Sequence, residues 1–458
     1  MTLLETFVDL VTQWRPVFPQ QRSWKLATHH AVGAMLCLGR RCLTRIIWAN
    51  GEQHRHPAKH YYLYSRSQWN PQQLLVPLWR EALPYGSDRI VAVAIDDTRL
   101  HKTGRMIQQA FHQRDPLSPA FHVNLMYGLR FLQASLLLPL YRKTPVGPRG
   151  IPIYFQEASV VKRPRKKASA EAWAQYRLAK KQHNLSQQFV EAVVGLRHQL
   201  DEIGGSHQLL LIVTDGSFCN RTAFSAIPPR VQIVARCRKD AKLCLRAPAT
   251  SRCFYAPEKF TPEQVRQDNQ LPWQTVKLFY GGKRRKIRYK SRLVYWQGGA
   301  RRRPLRLFVL APTPYRKRKS ARWYYRDPAY LLSSDLTTPA SRIIQSYLDR
   351  WQIEVNHREE KDTLGVGQAQ LWNKEAVPKQ PVLVVAAYSA LTLAALKAFG
   401  AERGSYYLPL PKWRRQAKRP SCLDLISLLR QEAVNHPEIL KKIGLQHSSS
   451  GLLLAAAA

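Results

Sequence analysis

Acidic residues are scarce in this sequence. The 458-residue chain has 30 Asp and Glu against 72 Lys and Arg, a formal net charge of +42. Solubility needs far less, and a surplus of this size repels itself unless a polyanion shares it. Nucleic acid is therefore the expected partner, with an anionic membrane surface as the competitor. Cysteine pairing is missing as well: the seven cysteines are an odd number, scattered, with no CxxC. They read as reduced thiols in a cytosolic compartment, without zinc spacing. The N-terminal MTLLETFVDLVTQW carries acids where a signal peptide needs bases, which argues against secretion. One long apolar run occurs, PVLVVAAYSALTLAALKAF from Pro381, interrupted by Tyr388, Ser389, Thr392 and Lys397. It reads as a buried core helix rather than a membrane span. No internal repeat is evident, and the tail GLLLAAAA is uninformative.

What is present suffices for a folded, multi-part protein. Hydrophobic residues make up 45% of the chain, with twelve Trp and twenty Tyr to fill a core. Residues 1 to about 85 look helical, with amphipathic patterns over 27–47 and 69–83, and suit a DNA-binding head or a packing module. RIVAVAID (89–96) then reads as a central strand ending in acids, followed by strands at 121–131 and 134–141. The cluster KRPRKK (162–167), which reads as well as a solvated loop as anything more specific, leads into a helical stretch over 169–201. HQLLLIVTDGS (207–217) is a second buried strand ending in an acid, and VQIVARCR (231–238) is a third. This order predicts an α/β fold with a mixed sheet. From 240 to about 335, VKLFY, KIRYK, RLVYW and LRLFVLAP read as short strands with bases on alternate positions. Aromatics interleave them: Tyr289, Tyr295, Trp296, Tyr315, Trp323 and Tyr324. Such a face suits phosphate neutralisation and base stacking, or else edge-strand lysines over core aromatics. DLTTP (335–339) opens a helix, with Thr338 as N-cap and Pro339 at N1, that runs to about 362 and stops at GVGQ.

The few acids fall in suggestive places. Asp96 and Asp97 close the first strand, Asp215 closes the second, and the helix stretch YLDRWQIEVNHREEK (347–361) supplies more. Three carboxylates meeting at one point repel unless divalent cations hold them, and an oxygen-only site selects Mg²⁺ or Mn²⁺. Two such ions activate a water or a 3′-hydroxyl and stabilise the leaving oxygen of a phosphodiester. At about 100° per residue, Tyr347, Arg350, Glu354 and Lys361 share an arc of roughly 60°. Ile344, Leu348, Trp351 and Val355 form an adjacent apolar stripe, while Asp349, Glu359 and Glu360 read as solvated surface. Glu354 is thus the acid that shares a face with Tyr347, Arg350 and Lys361; the alternative is that Arg350 merely salt-bridges it across one turn.

The spacing Y-x2-R-x3-E-x6-K, with RWQIEVNHREEKDTLGVGQAQ around it and AIDDTRLHKTG before it, resembles the signature of the IS4-type DDE transposases, most closely the IS701-like branch. The resemblance covers about residues 88–375, weakly over the β-rich part. It implies an RNase H-like mixed-sheet core with a β-rich insertion, to be added to the N-terminal helical domain that periodicity already predicts. It further implies Asp96 (or Asp97), Asp215 and Glu354 as catalytic metal ligands for two Mg²⁺ or Mn²⁺ ions. Tyr347, Arg350 and Lys361 match residues that hold phosphates near the cleaved end, chemistry that suits a hydroxyl, a guanidinium fork and a point charge. Some relatives stack a flipped base on an insertion tryptophan, for which Trp323 is the first candidate and Trp296 the second. Lys286, Arg288 and Arg322 are the further bases assigned to DNA.

On this reading the chain divides into 1–85, helical and DNA-binding; 86–240, the first part of the core; 241–335, the basic insertion; 336–400, the glutamate helix and its successor; and 401–458. The expected activity is cleavage at terminal inverted repeats and strand transfer into target DNA by a homodimer, in a prokaryotic cytoplasm near the nucleoid. A silent DNA-binding descendant and an RNase H-like nuclease that cuts without joining are the rival functions.

Overall fold

The computed structural model describes residues 1–445 other than 87, 88, 116, 117, 120, 319, 415 and 416, so the GLLLAAAA tail lies outside the described residues. Helices α1 (Leu3–Thr12), α2 (Gln21–Leu36), α3 (Leu43–Ala49), α4 (Ala58–Ser65) and α5 (Leu75–Ala82) precede strand β1 (Ile90–His101). Then come β2 (Phe111–Arg114), β3 (Leu125–Leu138), β4 (Arg149–Glu157), α6 (Ala170–Gln182), α7 (Leu185–Leu200), β5 (Leu209–Thr214), α8 (Arg221–Ser225) and β6 (Val231–Arg236). The β-rich part holds β7 (Leu243–Arg246), β8 (Tyr255–Phe260), α9 (Pro262–Gln267), β9 (Gln274–Tyr280), β10 (Lys283–Tyr295), α10 (Gln297–Ala300) and β11 (Pro304–Leu310). It continues with β12 (Pro314–Tyr315), β13 (Tyr324–Tyr325) and β14 (Ala329–Ser333). Helices α11 (Ala340–Asp349), α12 (Trp351–Arg358), α13 (Ala376–Phe399), α14 (Cys422–Asn435) and α15 (Pro437–Lys442) follow. All seven cysteines are free.

These elements form two units. The first comprises the described residues of Met1–Gly86, Asp97–Val160 and Gln352–Ala458. Its axis is α13, long and apolar enough to cross a membrane, yet 83% of its apolar window is buried inside the protein. Helices α1, α2, α4, α5 and α14 and strand β4 pack around it, so it is the core helix its interrupted apolar run predicts. Polar residues tie the shell down: Ser389 Oγ donates to the Pro152 carbonyl at 2.8 Å, and Glu432 accepts from the backbone N–H groups of Leu3 and Leu4, at 3.2 and 2.6 Å. In the same unit β3 pairs antiparallel with both β2 and β4.

The second unit comprises the described residues of Ser87–Asp96 and Val161–Trp351. Here the Ile90–Ile95 part of β1 pairs parallel with β5, and β5 pairs parallel with β6. The strands of the β-rich part continue this sheet directly, β14 lying antiparallel to β6, then β11 and β10. The result is a large mixed sheet, parallel at one side and antiparallel at the other. Helix α11 covers it, burying Ile343 and Ile344 against Leu211, Val213, Val234, Phe308 and Leu331.

Several elements differ from the sequence expectation. The 27–47 pattern is two helices, α2 and α3, divided where Cys37 turns extended at ψ 136°, with Gly39 at φ 65° in the link between them. The 169–201 stretch is likewise two, because Asn184 caps a new helix by accepting from the Gln187 N–H at 3.1 Å. Conversely, the segments at 121–131 and 134–141 are largely one strand, β3, and KIRYK and RLVYW are both parts of β10. A polar break such as Ser291-Arg292 does not stop a strand whose partner β11 pairs straight through it. Gly281 and Gly282, at φ 60° and 78°, supply the two positive φ angles of the tight β9–β10 turn. Before α11, Asp335 rather than Thr338 accepts the N–H groups of Thr337 and Thr338, at 2.9 and 2.8 Å, and Pro339 sits at the cap position.

Candidate active site

Parallel pairing positions the first two acids. Ile95 lies opposite Thr214 in the β1–β5 register, and each is followed by an aspartate, Asp96 and Asp215. Neighbouring strands run about 4.8 Å apart, so the two carboxylates leave the sheet side by side. Asp215 is steadied by its own turn, Oδ1 accepting from the Ser217 N–H at 2.8 Å. Asp96 Oδ2 stands 3.7 Å from Arg350 Nη1, a guanidinium delivered by the junction of α11 and α12. Arg350 Cζ also lies 6.0 Å from the centre of the Tyr347 ring. The second unit thus brings Asp96, Asp215, Arg350 and Tyr347 into one neighbourhood.

Asp97 is differently engaged, within the first unit. Its Oδ2 accepts from Arg130 Nε at 2.8 Å and lies 3.6 Å from Arg99 Nη2, with the side chain only 9% exposed. Alternation along β1 turns the two aspartates to opposite faces, and their partners differ accordingly.

The stretch 347–361 is not one regular helix. It is interrupted at Arg350, whose backbone stays helical, and Glu359–Thr363 forms a wider π turn. The increment of about 100° per residue therefore stops applying before Lys361. The apolar stripe is also incomplete, because Trp351 is 60% exposed. Three acids that read as solvated surface are not: Asp349 is buried and accepts from Gln345 Nε2 at 2.9 Å, and Glu359 accepts from the Tyr388 hydroxyl. Glu360 is buried outright, accepts from Gln133 Nε2 at 2.8 Å, and has its pKa pushed up by burial to about 8.

Glu354 and Lys361 belong to the first unit. Glu354 is half-buried on α12, which Ile353 and Asn356 anchor; Asn356 Nδ2 donates to the Gly150 carbonyl at 3.2 Å. Lys361 lines a pocket with Arg40, Arg99, His101 and Lys102. Lys102 is buried and donates to the carbonyls of Gly367 and Ala369, at 2.5 and 3.3 Å; burial lowers its pKa to about 8.

The basic face of the β-rich part is regular. Lys286 and Arg288 are exposed on β10 while Ile287 and Tyr289 between and beside them are buried. Arg322 and Trp323 are exposed, Arg322 lying over the Tyr324 ring and Arg316 3.9 Å from the Trp323 ring centre. Trp296 is instead packed, edge-on to Phe224 and against Gly299, where a Cβ would meet its ring at 2.1 Å. Beside Tyr347 opens a cavity of about 480 Å³ lined also by Tyr280, Tyr315, Tyr325, Arg236 and Arg326. Sequence reasoning missed Arg236, although it closes β6 as Asp96 follows the paired part of β1.

The donors Asp96 and Asp215 are oxygen only, and a pair of adjacent carboxylates fits a hard divalent cation. Among the described residues, no group of three or more His, Cys, Asp or Glu side chains has metal-holding placement. No curated protein matches the chain. Residues 14–303, well over half of it, match the family described as DDE superfamily endonuclease; the match includes Asp96, Asp215, Lys286 and Arg288 and stops before Arg322, Trp323, Tyr347, Arg350, Glu354 and Lys361. With its mixed α/β architecture of RNase H-like type, the chain belongs to the DDE superfamily endonucleases, a family of transposases and nucleases that act on DNA and generally use divalent metals.

Proposed function

We propose that the chain is the DNA transposase of an insertion sequence, of the IS4 type and its IS701-like branch. The observation that carries this reading is the strand register that sets Asp96 beside Asp215 with Arg350 at 3.7 Å. The spacing of Tyr347, Arg350, Glu354 and Lys361 supports Glu354 as the third acid. Asp96 is preferred to Asp97 because two arginines already engage Asp97.

In this reading Asp96, Asp215 and Glu354 hold two Mg²⁺ or Mn²⁺ ions, which supply an activated water or 3′-hydroxyl and stabilise the departing oxygen. Arg350 trades its carboxylate partner for phosphate oxygens as DNA arrives, and Tyr347 and Lys361 hold the flanking phosphates. Lys286, Arg288 and Arg322 neutralise backbone phosphates farther out, with Trp323 available to stack an unpaired base. A homodimer grips the two terminal inverted repeats and then joins them to target DNA in the cytoplasm.

The test is cleavage of duplex DNA carrying the element's own ends by the full-length protein with Mg²⁺ or Mn²⁺. Nicks at the element boundary and strand-transfer joints are expected. Asp96→Asn, Asp215→Asn and Glu354→Gln should each slow cleavage by about a thousandfold, roughly 4 kcal/mol of transition-state stabilisation. Glu354→Gln cutting as fast as the unaltered protein would sink the assignment. Nicks without joints would leave a nuclease.

A further inference from the structure

The basic cluster KRPRKK and the helix after it, α6, take no part in the site described above. Between residues 162 and 181 stand eight bases, Lys162, Arg163, Arg165, Lys166, Lys167, Arg177, Lys180 and Lys181, against the single acid Glu171. Every one of the eight is exposed. Helix α6 buries no residue at all along its thirteen. A helix with no fully buried face depends on its ends, and this one is well equipped: Ser169 accepts from the Ala172 N–H at 3.2 Å, Glu171 lies in the first turn, and Lys180 and Lys181 lie in the last.

The basic face is ordered rather than diffuse, with two half-buried rings set among its exposed bases. Trp173, Tyr176, Arg177 and Lys180 recur at i, i+3, i+4 and i+7, which puts them on one side of the helix. The rings hold cations in place: Arg163 Cζ lies 5.2 Å from the centre of the Trp173 ring, and Lys180 Nζ lies 5.8 Å from that of Tyr176. The result is a row of positive charges, two of them held against rings, on a helix none of whose residues is fully buried.

We infer that this loop and helix form a backbone-gripping prong for duplex DNA, with Arg163, Arg177 and Lys180 on phosphates, Trp173 steadying Arg163 and Tyr176 steadying Lys180. This rests on the proposed function only for the identity of the polyanion. Charge selects the occupant: a second copy of the chain would bring eight more bases to the same surface and be repelled. Because the rings are engaged with cations, the prong meets phosphates and not base edges, and its grip is independent of sequence.

The experiment is equilibrium binding of the full-length protein to a random-sequence duplex in EDTA, titrated with salt. Replacing Arg163, Arg177 and Lys180 together by Gln should weaken binding at least about tenfold near 0.1 M salt. It should also flatten the slope of log K against log salt by about 3, one unit for each phosphate no longer neutralised. The double variant R177K/K180R should keep both values within about twofold of the unaltered protein's, because it keeps the charges. Trp173→Ala with Tyr176→Ala should weaken binding with little change in slope. An unchanged slope in the triple Gln variant overturns the inference. So does a loss confined to vesicles of phosphatidylserine and phosphatidylcholine, which would make the prong a membrane contact. Since EDTA removes metal from this assay, failure of the cleavage reading leaves this result standing, and an unchanged slope leaves cleavage untouched.

Discussion

Asp96 and Asp97 are neighbours in sequence with opposite surroundings. Strand alternation sends one toward Arg350 and the other into the grip of Arg130 and Arg99. Asp97→Asn should cost about 1–3 kcal/mol of stability, the penalty for breaking a charge-assisted bond to Arg130 that little solvent reaches, and should leave Mn²⁺ binding intact. Asp96→Asn should do the reverse, abolishing Mn²⁺ binding in a calorimetric titration while its denaturation midpoint stays close to that of the parent. If Asp97→Asn were the variant that lost metal, the ligand assignment would have to move. Nothing in the string DDT distinguishes the pair, because Arg130 comes from β3, 33 residues onward. Glu360 makes a similar point about burial. Its pKa is raised to about 8 from the ordinary 4.5, so the folded state holds a proton that the unfolded chain has released. Its contribution is therefore fully present below about pH 4.5 and is lost as pH rises through about 8. Glu360→Gln keeps an oxygen for Gln133 and removes that titration. Melts of the two proteins should converge near pH 5 and separate toward pH 9, the Gln variant then being the more stable; a constant difference across that range would refute it.

Helix α11 is the element on which the second unit's site depends. Its apolar side, Ile343 and Ile344, is fully buried against the sheet, and its far end carries Tyr347 and delivers Arg350. Gln345 fixes its azimuth by accepting from the Phe279 N–H at 2.8 Å and donating to the Phe279 carbonyl at 3.0 Å. Ile343→Ala should cost about 2–5 kcal/mol in denaturant titration, the usual range for a fully buried aliphatic side chain. A cost below about 1 kcal/mol would mean that the helix is held by something other than this face. Periodicity made the helix legible, and the DLTTP segment marked where it opens although Pro339 and not Thr338 holds the cap position. The interruption at Arg350 and the π turn beyond Arg358 were not legible, because neither Gly nor Pro marks them. The same holds for β10: its polar Ser291-Arg292 step reads as a break, and only the continuous pairing with β11 carries the strand across.

At the scale of the whole molecule, charge dominates. With 72 bases and 30 acids, DNA affinity should fall by roughly 10³–10⁵ between 50 and 200 mM salt if about 6–10 phosphates are engaged. Chelation separates that electrostatic term from chemistry: EDTA should abolish cleavage and leave duplex affinity at constant ionic strength unchanged within about twofold. Loss of binding on chelation would mean that metal also builds the DNA-binding surface. Composition, the strand that ends at Asp215, the apolar run of α13 and the spacing from Tyr347 to Lys361 were all determined by sequence, since charge, alternation and helical period are properties of neighbouring residues. The expected end of the first strand at Asp96 and Asp97 was not, because β1 runs on through both to His101. Which aspartate meets Arg350, and which acids of 347–361 are buried, were decided by tertiary structure. So were the joining of β14 to β6 and the exposure of α6. Each of these depends on groups far apart in the chain, and a carboxylate's solvation and charge state follow from what the fold packs around it.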